Sequence, residues 1–348
     1  MNARTDVTAP ARSDDRAKRG RAVSAHPVGI RRPIGYLCVA GVLALVSLLL
    51  PTGGPAPVPP AAAAPASAAP TTGPAAPPCS GIRDSLRPAG PLPSPDALPA
   101  GSTMAAIAAR GRLIAGVDQG KYLSGYRDPQ TAELRGFEIE KTRSMAAALL
   151  GDPNKVQFVV LDIADRVAAV ERGEVDVVVD HFTVTCERQR SVEFSSAYMT
   201  ASPRLLVPAG SGVREVEDLR GQRVCASRGS TNERVLRDLR LAVDVVTTRS
   251  VPDCIVELER GRVAAVTSDD IILAGLAAQD PQTQVVGRAL ATGPYAVGMR
   301  QDAPDLIRFV NALLERGRAD GSLAASYRRW LGGTLDPVPL PPPARYRD

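Results

Sequence analysis

Three polar segments of this sequence carry residue types that bind small charged ligands. Arg188 follows a predicted strand at residues 175–179, and its guanidinium can hold a carboxylate through two parallel hydrogen bonds. Residues 228–231 precede a predicted helix, whose first backbone N–H groups favour an anion. Asp269 follows another predicted strand and offers a carboxylate of its own. Taken singly these signals are weak, because most arginines are solvated and most serines in such positions only cap helices.

Composition disfavours several other kinds of chemistry. The chain has 348 residues but only two histidines, which leaves little room for a histidine-based triad or a histidine-rich metal site. Residues 1–32 contain eight basic and three acidic side chains, so they account for the whole net charge of +5. The remaining chain is electrically neutral, which argues against nucleic-acid binding by the folded part. We predict no catalytic residue, no metal and no cofactor.

The N-terminal region has the pattern of a membrane segment followed by a spacer. A basic leader at residues 1–33 precedes an uncharged apolar run at residues 34–50, which fits a short spanning helix or the core of a signal sequence. The basic flank predicts a cytoplasmic leader and an extracytoplasmic remainder. We expect an uncleaved anchor in preference to a cleaved signal. Residues 51–102, with fifteen prolines, predict a disordered linker, and residues 336–348 a shorter proline-rich tail.

Residues 103–335 alternate short apolar strands with helical patterns, which indicates an α/β fold with mainly parallel sheets flanked by helices. A helix that ends in glycine and leads into a strand occurs twice, at residues 171–179 and 259–266. The repetition predicts two similar lobes with a ligand cleft between them. We expect crossovers near Arg204 and Tyr295, with residues 103–203 and 290–335 in lobe 1 and residues 205–288 in lobe 2.

Five motifs follow one another through this region. They are G-F-E-I-E at 136–140, T-V-T-C-E-R-Q-R-S-V-E-F-S at 183–195, C-A-S-R-G-S-T at 225–231, V-T-S-D-D at 266–270 and Y-R-R-W at 327–330. Together they resemble the extracytoplasmic solute-binding proteins of polar amino-acid ABC transporters (bacterial solute-binding protein family 3), most closely the glutamate/glutamine-binding members. The resemblance implies a type II periplasmic-binding-protein-like fold with two crossover strands. Lys141 departs from the first motif, where the family usually has an apolar residue.

The resemblance assigns the carboxylate end of the ligand. A free amino acid carries a carboxylate and an ammonium, and burying either without a partner costs several kcal/mol. In the motif T-x-T-x-x-R, Arg188 holds the α-carboxylate, and Thr183 offers its hydroxyl and backbone groups. Ser230 and Thr231 supply further donors.

The ammonium end follows from the same resemblance. Asp269 is the matching acid for the α-ammonium, while Asp270 is expected to cap the next helix. By residue type, Tyr122 and Tyr295 are candidates for packing on the aliphatic part of the ligand, with the buried core as the alternative position. His181 is expected to be a histidine of the core or of the rim of the cleft.

The side-chain end leaves two alternatives open. Asp118 matches the position where glutamine-selective relatives use an acid to accept the ligand amide, which favours an amide or another neutral side chain. Lys121 and Arg166 lie in loops that can turn toward the same corner, and either cation favours glutamate or aspartate. The expected ligand is therefore glutamate or glutamine, with aspartate and asparagine also open.

Four cysteines follow the apolar run, and an even number in an oxidising compartment suggests two disulfides among three possible pairings. Cys225 and Cys254 fall in the same predicted lobe, so they are the favoured pair. Cys79 and Cys186 then form the second bond.

The resemblance predicts a binding protein at the cell membrane that closes its lobes around a free polar amino acid. Its partner is an ABC permease or a membrane sensor protein. The alternatives are a sensor without transport and an enzyme on the same scaffold, such as a dehydratase, which would need a general acid in the cleft.

Overall fold

The computed structural model describes Cys79, residues 81–335 and residues 341–348. The predicted leader, the predicted anchor at 34–50 and the predicted linker up to residue 78 lie outside the described residues. Within the described part, no helix combines the length and the apolar character needed to cross a membrane.

Helices and short strands alternate along the described chain. The helices are α1 (Thr103–Arg110), α2 (Phe137–Leu150), α3 (Arg166–Glu171), α4 (Thr231–Asp238), α5 (Val251–Glu259), α6 (Asp270–Ala277), α7 (Pro304–Ala319) and α8 (Ser322–Leu331). The strands are β1 (Ser85–Leu86), β2 (Leu113–Val117), β3 (Gly120–Lys121), β4 (Gly125–Arg127), β5 (Leu134–Arg135), β6 (Val156–Val160), β7 (Val177–Val178), β8 (Val192–Phe194), β9 (Met199–Ala201), β10 (Pro203–Pro208), β11 (Arg223–Ser227), β12 (Asp244–Thr248), β13 (Ala265–Asp269), β14 (Thr283–Val286), β15 (Gly293–Tyr295), β16 (Gly298–Arg300) and β17 (Tyr346–Arg347).

Two five-stranded sheets have the same topology and form the centres of the two lobes. Their strand orders are β6-β2-β7-β16-β8 in lobe 1 and β12-β11-β13-β10-β14 in lobe 2. In each sheet the first three strands are parallel, and the fourth is antiparallel to both of its neighbours. The predicted α/β architecture with mainly parallel sheets is therefore confirmed.

The antiparallel strand of each sheet is the one that enters from the other lobe. β9 leads into β10 of lobe 2, and β15 leads back into β16 of lobe 1, while β9 and β15 pair with each other. The pair forms the two crossovers of the hinge. Asp270 reinforces it, because its Oδ1 accepts a hydrogen bond of 3.2 Å from the amide of Ser202, between β9 and β10.

The repeated helix-to-strand turn of the sequence has the same geometry in both lobes. Gly173 and Gly261 have φ of +66° and +64°, and each amide donates to the carbonyl three residues earlier. The amide after each glycine donates five residues back, from Glu174 to Ala169 and from Arg262 to Glu257. Glycine suits this turn because it adopts positive φ without a steric penalty.

The predicted linker at 51–102 and the predicted tail at 336–348 both include residues that are part of the folded domain. Residues 81–102 and 341–348 are described, and β1 pairs in parallel with β17. The prediction rested on proline content, but ten of the fifteen prolines precede Cys79. Residues 81–102 are ordered because they contact lobe 1. Local composition does not report such long-range contacts.

Candidate functional site

A small pocket lies between the lobes, where the carboxyl ends of strands from both sheets face each other. This is the usual ligand position in open α/β sheets. The lining includes seven of the predicted ligand-binding residues: Lys121, Arg166, Thr183, Arg188, Ser230, Thr231 and Asp269. The remaining two, Asp118 and Tyr295, do not line it but contact Lys121 and Asp269, which do.

Arg188 reaches the pocket from the loop that follows β7. Its Nη1 donates to the carbonyl of Thr183 at 2.8 Å, and its guanidinium lies 5.0 Å from the centre of the Phe182 ring. The pKa of Arg188 is lowered to about 10, first by burial and then by the nearby cations Arg166 and Arg234. A half-buried guanidinium among other cations is electrostatically suited to an anion.

Asp269 is the last residue of β13 and lies across the cleft in lobe 2. It is buried, its pKa is raised by burial, and its Oδ2 accepts a hydrogen bond from the hydroxyl of Tyr295. Tyr295 therefore bonds to Asp269 and does not itself line the pocket, so its predicted packing on the ligand stays a prediction. Asp270 accepts from the backbone of Ile271 and of Ser202, so it serves the start of α6 and the hinge.

The first turn of α4 brings hydroxyl groups into the cleft. The Oγ of Ser230 accepts from the amide of Glu233 at 3.0 Å, so Ser230 is the N-cap of the helix and its O–H proton remains available for donation. The hydroxyls of Thr231 and Thr183 lie 3.5 Å apart across the cleft. Donors from both lobes therefore converge near Arg188.

The opposite corner holds two carboxylates and two cations. The Nζ of Lys121 lies 2.5 Å from Asp180 and 3.0 Å from Asp118, and Arg166 lies 2.6 Å from Asp180. Burial alone would raise the pKa of Asp118, but Lys121, the amide of Gly120 and Arg166 together lower it to about 2. The corner therefore has no net charge when all four groups are ionised.

Sequence reasoning missed Asp180, which binds both cations of this corner and is completely buried. It also missed Ser227 and Asn232, whose Oγ and Oδ1 line the pocket without a hydrogen-bond partner among the described residues. Their position on either side of Ser230 and Thr231, at the end of β11 and the start of α4, is the signal that could have identified them. Arg166 Nε is likewise buried without a hydrogen-bond partner.

His181 lines the pocket and belongs to a buried cluster of polar side chains. Ser124 Oγ lies 2.8 Å from its Nε2, Glu138 Oε2 lies 3.2 Å from its Nδ1, and burial lowers its pKa to about 4. Glu138, Asp180 and His181 are close enough to share a metal ion. However, Lys121 and Arg166 already balance the charge of Asp180, which makes this set a poor cation site. Tyr122 is partly exposed, packs against Tyr126 and does not line the pocket.

Comparison with known proteins identifies the family. Residues 113–333 match the sequence model described as bacterial extracellular solute-binding proteins, family 3. The chain belongs to this family. The ABC transporter glutamine-binding protein GlnH of Bacillus subtilis is 30% identical to it over 230 residues, which cover 66% of this chain and 84% of that protein.

Solved structures of similar proteins agree with a two-lobed family 3 fold. The solute receptor for L-cysteine of Neisseria gonorrhoeae is 28% identical, with a TM-score of 0.64 over 67% of this chain and 95% of that chain. An ancestral amino acid-binding protein, a precursor of cyclohexadienyl dehydratase, is 27% identical, with a TM-score of 0.61 over 66% of this chain and 99% of its own.

The cleft of this family 3 protein is closed. Arg249 of lobe 2 lies 2.6 Å from Asp162 of lobe 1, and Arg234 of lobe 2 lies 2.9 Å from Glu187 of lobe 1. Arg188 adds a weaker contact of 3.3 Å to the carbonyl of Gly229. We name the Arg249–Asp162 and Arg234–Glu187 contacts the interlobe ion pairs. They join the lobes across the cleft.

Two disulfides link the pairs of cysteines favoured from the sequence. Cys225 on β11 and Cys254 on α5 are joined inside lobe 2, and both are completely buried. Cys79 is joined to Cys186, within the T-x-T-x-x-R motif of lobe 1. The second bond attaches the N-terminal part of the chain to the loop that carries Arg188.

Proposed function

We propose that this protein binds a free polar amino acid, with glutamine and glutamate as the first candidates and asparagine and aspartate as further ones. Lobe closure around the ligand delivers it to an ABC permease or reports it to a membrane sensor protein. The name of the Bacillus subtilis relative supports glutamine as a ligand class.

One observation carries the proposal: a cation and an acid face the same pocket from opposite lobes. Arg188 of lobe 1 and Asp269 of lobe 2 both line it, as do the hydroxyls of Thr183 and Thr231. In the proposed complex, Arg188 and the donors of Thr183, Ser230 and Thr231 hold the α-carboxylate, and Asp269 holds the α-ammonium. A zwitterion satisfies both ends at once, and it joins the lobes because each end belongs to a different lobe.

The charge of the far corner favours a ligand with a neutral, hydrogen-bonding side chain. Asp118, Asp180, Lys121 and Arg166 neutralise one another, so a second ligand carboxylate finds no uncompensated cation there. This argument ranks glutamine above glutamate.

The extracellular family supports a binding domain on the extracytoplasmic side. We further propose that residues 34–50 anchor the chain in the membrane, with residues 1–33 in the cytoplasm. This placement keeps the binding domain close to a permease or sensor in the same membrane.

We propose that the protein is a binder and not an enzyme. The solved structure related to a dehydratase is itself called an amino acid-binding protein, and Asp269 and Arg188 are explained by ligand binding alone. An enzyme would convert a bound ligand, so incubation with each amino acid followed by mass analysis tests the alternative. Unchanged ligand supports the binding role.

A thermal-shift screen of the full chain against the twenty common amino acids tests the ligand class. A ligand at one hundred times its dissociation constant stabilises the folded state by about 2.7 kcal/mol, which is a readily measured shift. We expect the largest shift with glutamine, and an absence of shift with glutamine, glutamate, asparagine and aspartate would refute the ligand class.

The same screen tests the site with a matched pair of variants. Arg188→Ala is expected to lose the shift, because the ligand carboxylate loses its cationic partner. Arg190→Ala is the control, since Arg190 is exposed and lies outside the pocket lining. Equal shifts from the two variants would contradict the assignment of Arg188.

A further inference from the structure

The segment that leads into the domain contacts the Arg188 loop at two points. We name Cys79 together with residues 81–87 the N-terminal clasp; it precedes the region matched by the family, residues 113–333. Its first contact is covalent, the disulfide between Cys79 and Cys186, two residues before Arg188. Its second contact is with Gln189, directly after Arg188.

The Gln189 contact consists of three hydrogen bonds with Arg83. The amide of Arg83 donates to Gln189 Oε1 at 2.8 Å, and Gln189 Nε2 donates back to the Arg83 carbonyl at 2.9 Å. In addition, Arg83 Nη2 donates to the Gln189 carbonyl at 2.7 Å. Gln189 is only 3% exposed while the Arg83 side chain is 50% exposed, so these bonds are shielded from water on the Gln189 side only.

The clasp is itself fixed to the body of lobe 1. Ser85 Oγ donates to the carbonyl of Phe194 at 2.7 Å, and Asn311 Nδ2 donates to Ser85 Oγ at 2.7 Å and to the Leu86 carbonyl at 2.6 Å. Asn311 is completely buried on α7. The clasp therefore gives the loop a rigid support that belongs to the lobe core.

Other bonds also hold the loop: Gln301 Nε2 donates to the Gln189 carbonyl at 3.0 Å, and the amide of Val184 donates to the Pro294 carbonyl at 2.9 Å. The Arg188 amide donates to Thr185 Oγ1 at 3.1 Å and its Nη1 to the Thr183 carbonyl at 2.8 Å, and both partners belong to the loop itself. These two bonds shape the loop, whereas the bonds with Gln301 and Pro294 join it to neighbouring segments, and the clasp adds to them on both sides of Arg188. Cys186 and Gln189, which flank Arg188, are the residues that the clasp fixes.

We propose that the N-terminal clasp positions Arg188 for the ligand carboxylate, so that the chain leading from the N-terminus is mechanically part of the binding site. Cys79 and Arg83 are positioning residues, because they act through Cys186 and Gln189. The inference rests on the proposed role of Arg188. It adds that ligand affinity depends on residues outside the family domain and is coupled to the segment that precedes it.

The test measures L-glutamine and L-glutamate binding by calorimetry with the full chain. Cys79→Ala with Cys186→Ala removes the covalent contact, and Gln189→Ala removes the side-chain hydrogen bonds. We expect each to lower affinity about tenfold, the size of effect typical for misplacing one charged hydrogen-bond partner. The control, Cys225→Ala with Cys254→Ala, removes the lobe 2 disulfide and is expected to change affinity less than twofold.

A double-mutant cycle separates positioning from general stability. In an Arg188→Lys background, which keeps a cation but loses the two-pronged geometry, the clasp variants are expected to lower affinity less than threefold. An equal loss in both backgrounds would show that the clasp only stabilises the fold. The melting temperature of each variant without ligand records any stability loss separately.

Reduction of the wild-type chain gives a second measurement that does not depend on refolding of a variant. Cys79 is exposed while Cys225 and Cys254 are completely buried, so a mild reductant reaches the clasp disulfide first. Mass mapping verifies which bond is open. Unchanged affinity after selective opening, together with unchanged affinity of Gln189→Ala, would overturn the inference. If Arg188→Ala still loses binding in that case, the proposed function stands; if wild type binds neither ligand, both fail.

Discussion

Asp118 and Asp180 oppose Lys121 and Arg166 in the far corner of the pocket, and this balance determines which ligand side chain the corner accepts. The pKa of Asp118 is lowered to about 2, so at neutral pH it contributes a full negative charge. Removing that charge leaves the corner with a net positive charge. A positive corner attracts a ligand carboxylate more strongly than a neutral amide.

We therefore expect Asp118→Asn to shift the preference from glutamine toward glutamate by about tenfold, measured as the ratio of the two dissociation constants. Asp302→Asn is the control, because it removes the same charge from an exposed residue whose ion partner, Arg300, lies two residues before it in the sequence. A shift of equal size in the control would indicate a long-range charge effect, and a shift toward glutamine would contradict the charge-balance argument.

The residues of the site were predictable to different extents. Arg188 and Asp269 belong to ordered motifs, and both line the pocket. Asp180 was missed because it follows three valines and looks like the end of a buried strand, although it carries the charge that neutralises two cations. Charge balance depends on which side chains meet in space, and sequence order does not contain that information.

At the scale of elements, α2 carries a lysine where the family usually has an apolar residue. The ammonium of Lys141 lies 4.5 Å from the centre of the Phe137 ring and 4.9 Å from that of Tyr198. It makes no hydrogen bond or ion pair with any residue that the structure describes. Burial lowers its pKa from 10.5 to about 7, so the helix carries an unpaired charge whenever the pH falls below that value.

We expect Lys141→Met to stabilise the protein at pH 7 and to alter its pH dependence. Below a pH of about 7, Lys141 is charged in both states and its burial opposes folding fully; between about 7 and 10.5 only the unfolded chain holds the proton. Wild-type stability therefore rises across this window, by about 2 kcal/mol from pH 7 to 9 relative to the variant. Urea unfolding at both pH values measures it. The control, Lys155→Met at an exposed site, should show the same dependence of stability on pH as the wild type. If Lys141→Met also kept the wild-type pH dependence, the Lys141 ammonium would have to be solvated and the prediction would be wrong.

Element boundaries were predictable where the signal is local. Apolar runs in the sequence predict the strand ends at the cleft. The glycines at 173 and 261 predict the two turns, where both residues adopt positive φ. The order of residues 81–102 and 341–348 was not predictable, because it depends on partners such as Asn311 that lie more than two hundred positions away. A proline-rich composition describes the unaided chain, whereas the observed order is a tertiary effect.

At the scale of the whole molecule, ligand affinity includes the free energy of closing two lobes. The interlobe ion pairs, Arg249 with Asp162 and Arg234 with Glu187, connect side chains of different lobes, so opening the cleft separates them. At least one side chain of each pair is largely exposed. Each pair is therefore expected to favour the closed form by only about 0.5 kcal/mol. They adjust the balance between open and closed forms without making up the binding energy.

We expect the double variant Asp162→Asn with Glu187→Gln to bind its amino acid about fivefold more weakly at low ionic strength, because about 1 kcal/mol of closing free energy is lost. At 0.5 M salt the difference from wild type should disappear, since screening weakens exposed pairs in both proteins. Calorimetric titration at the two salt concentrations measures the effect. Glu257→Gln, which breaks the pair with Arg262 inside lobe 2, should leave affinity unchanged. A loss that persists at high salt would mean that Asp162 and Glu187 support the closed form through shape or hydrogen bonding and not through charge.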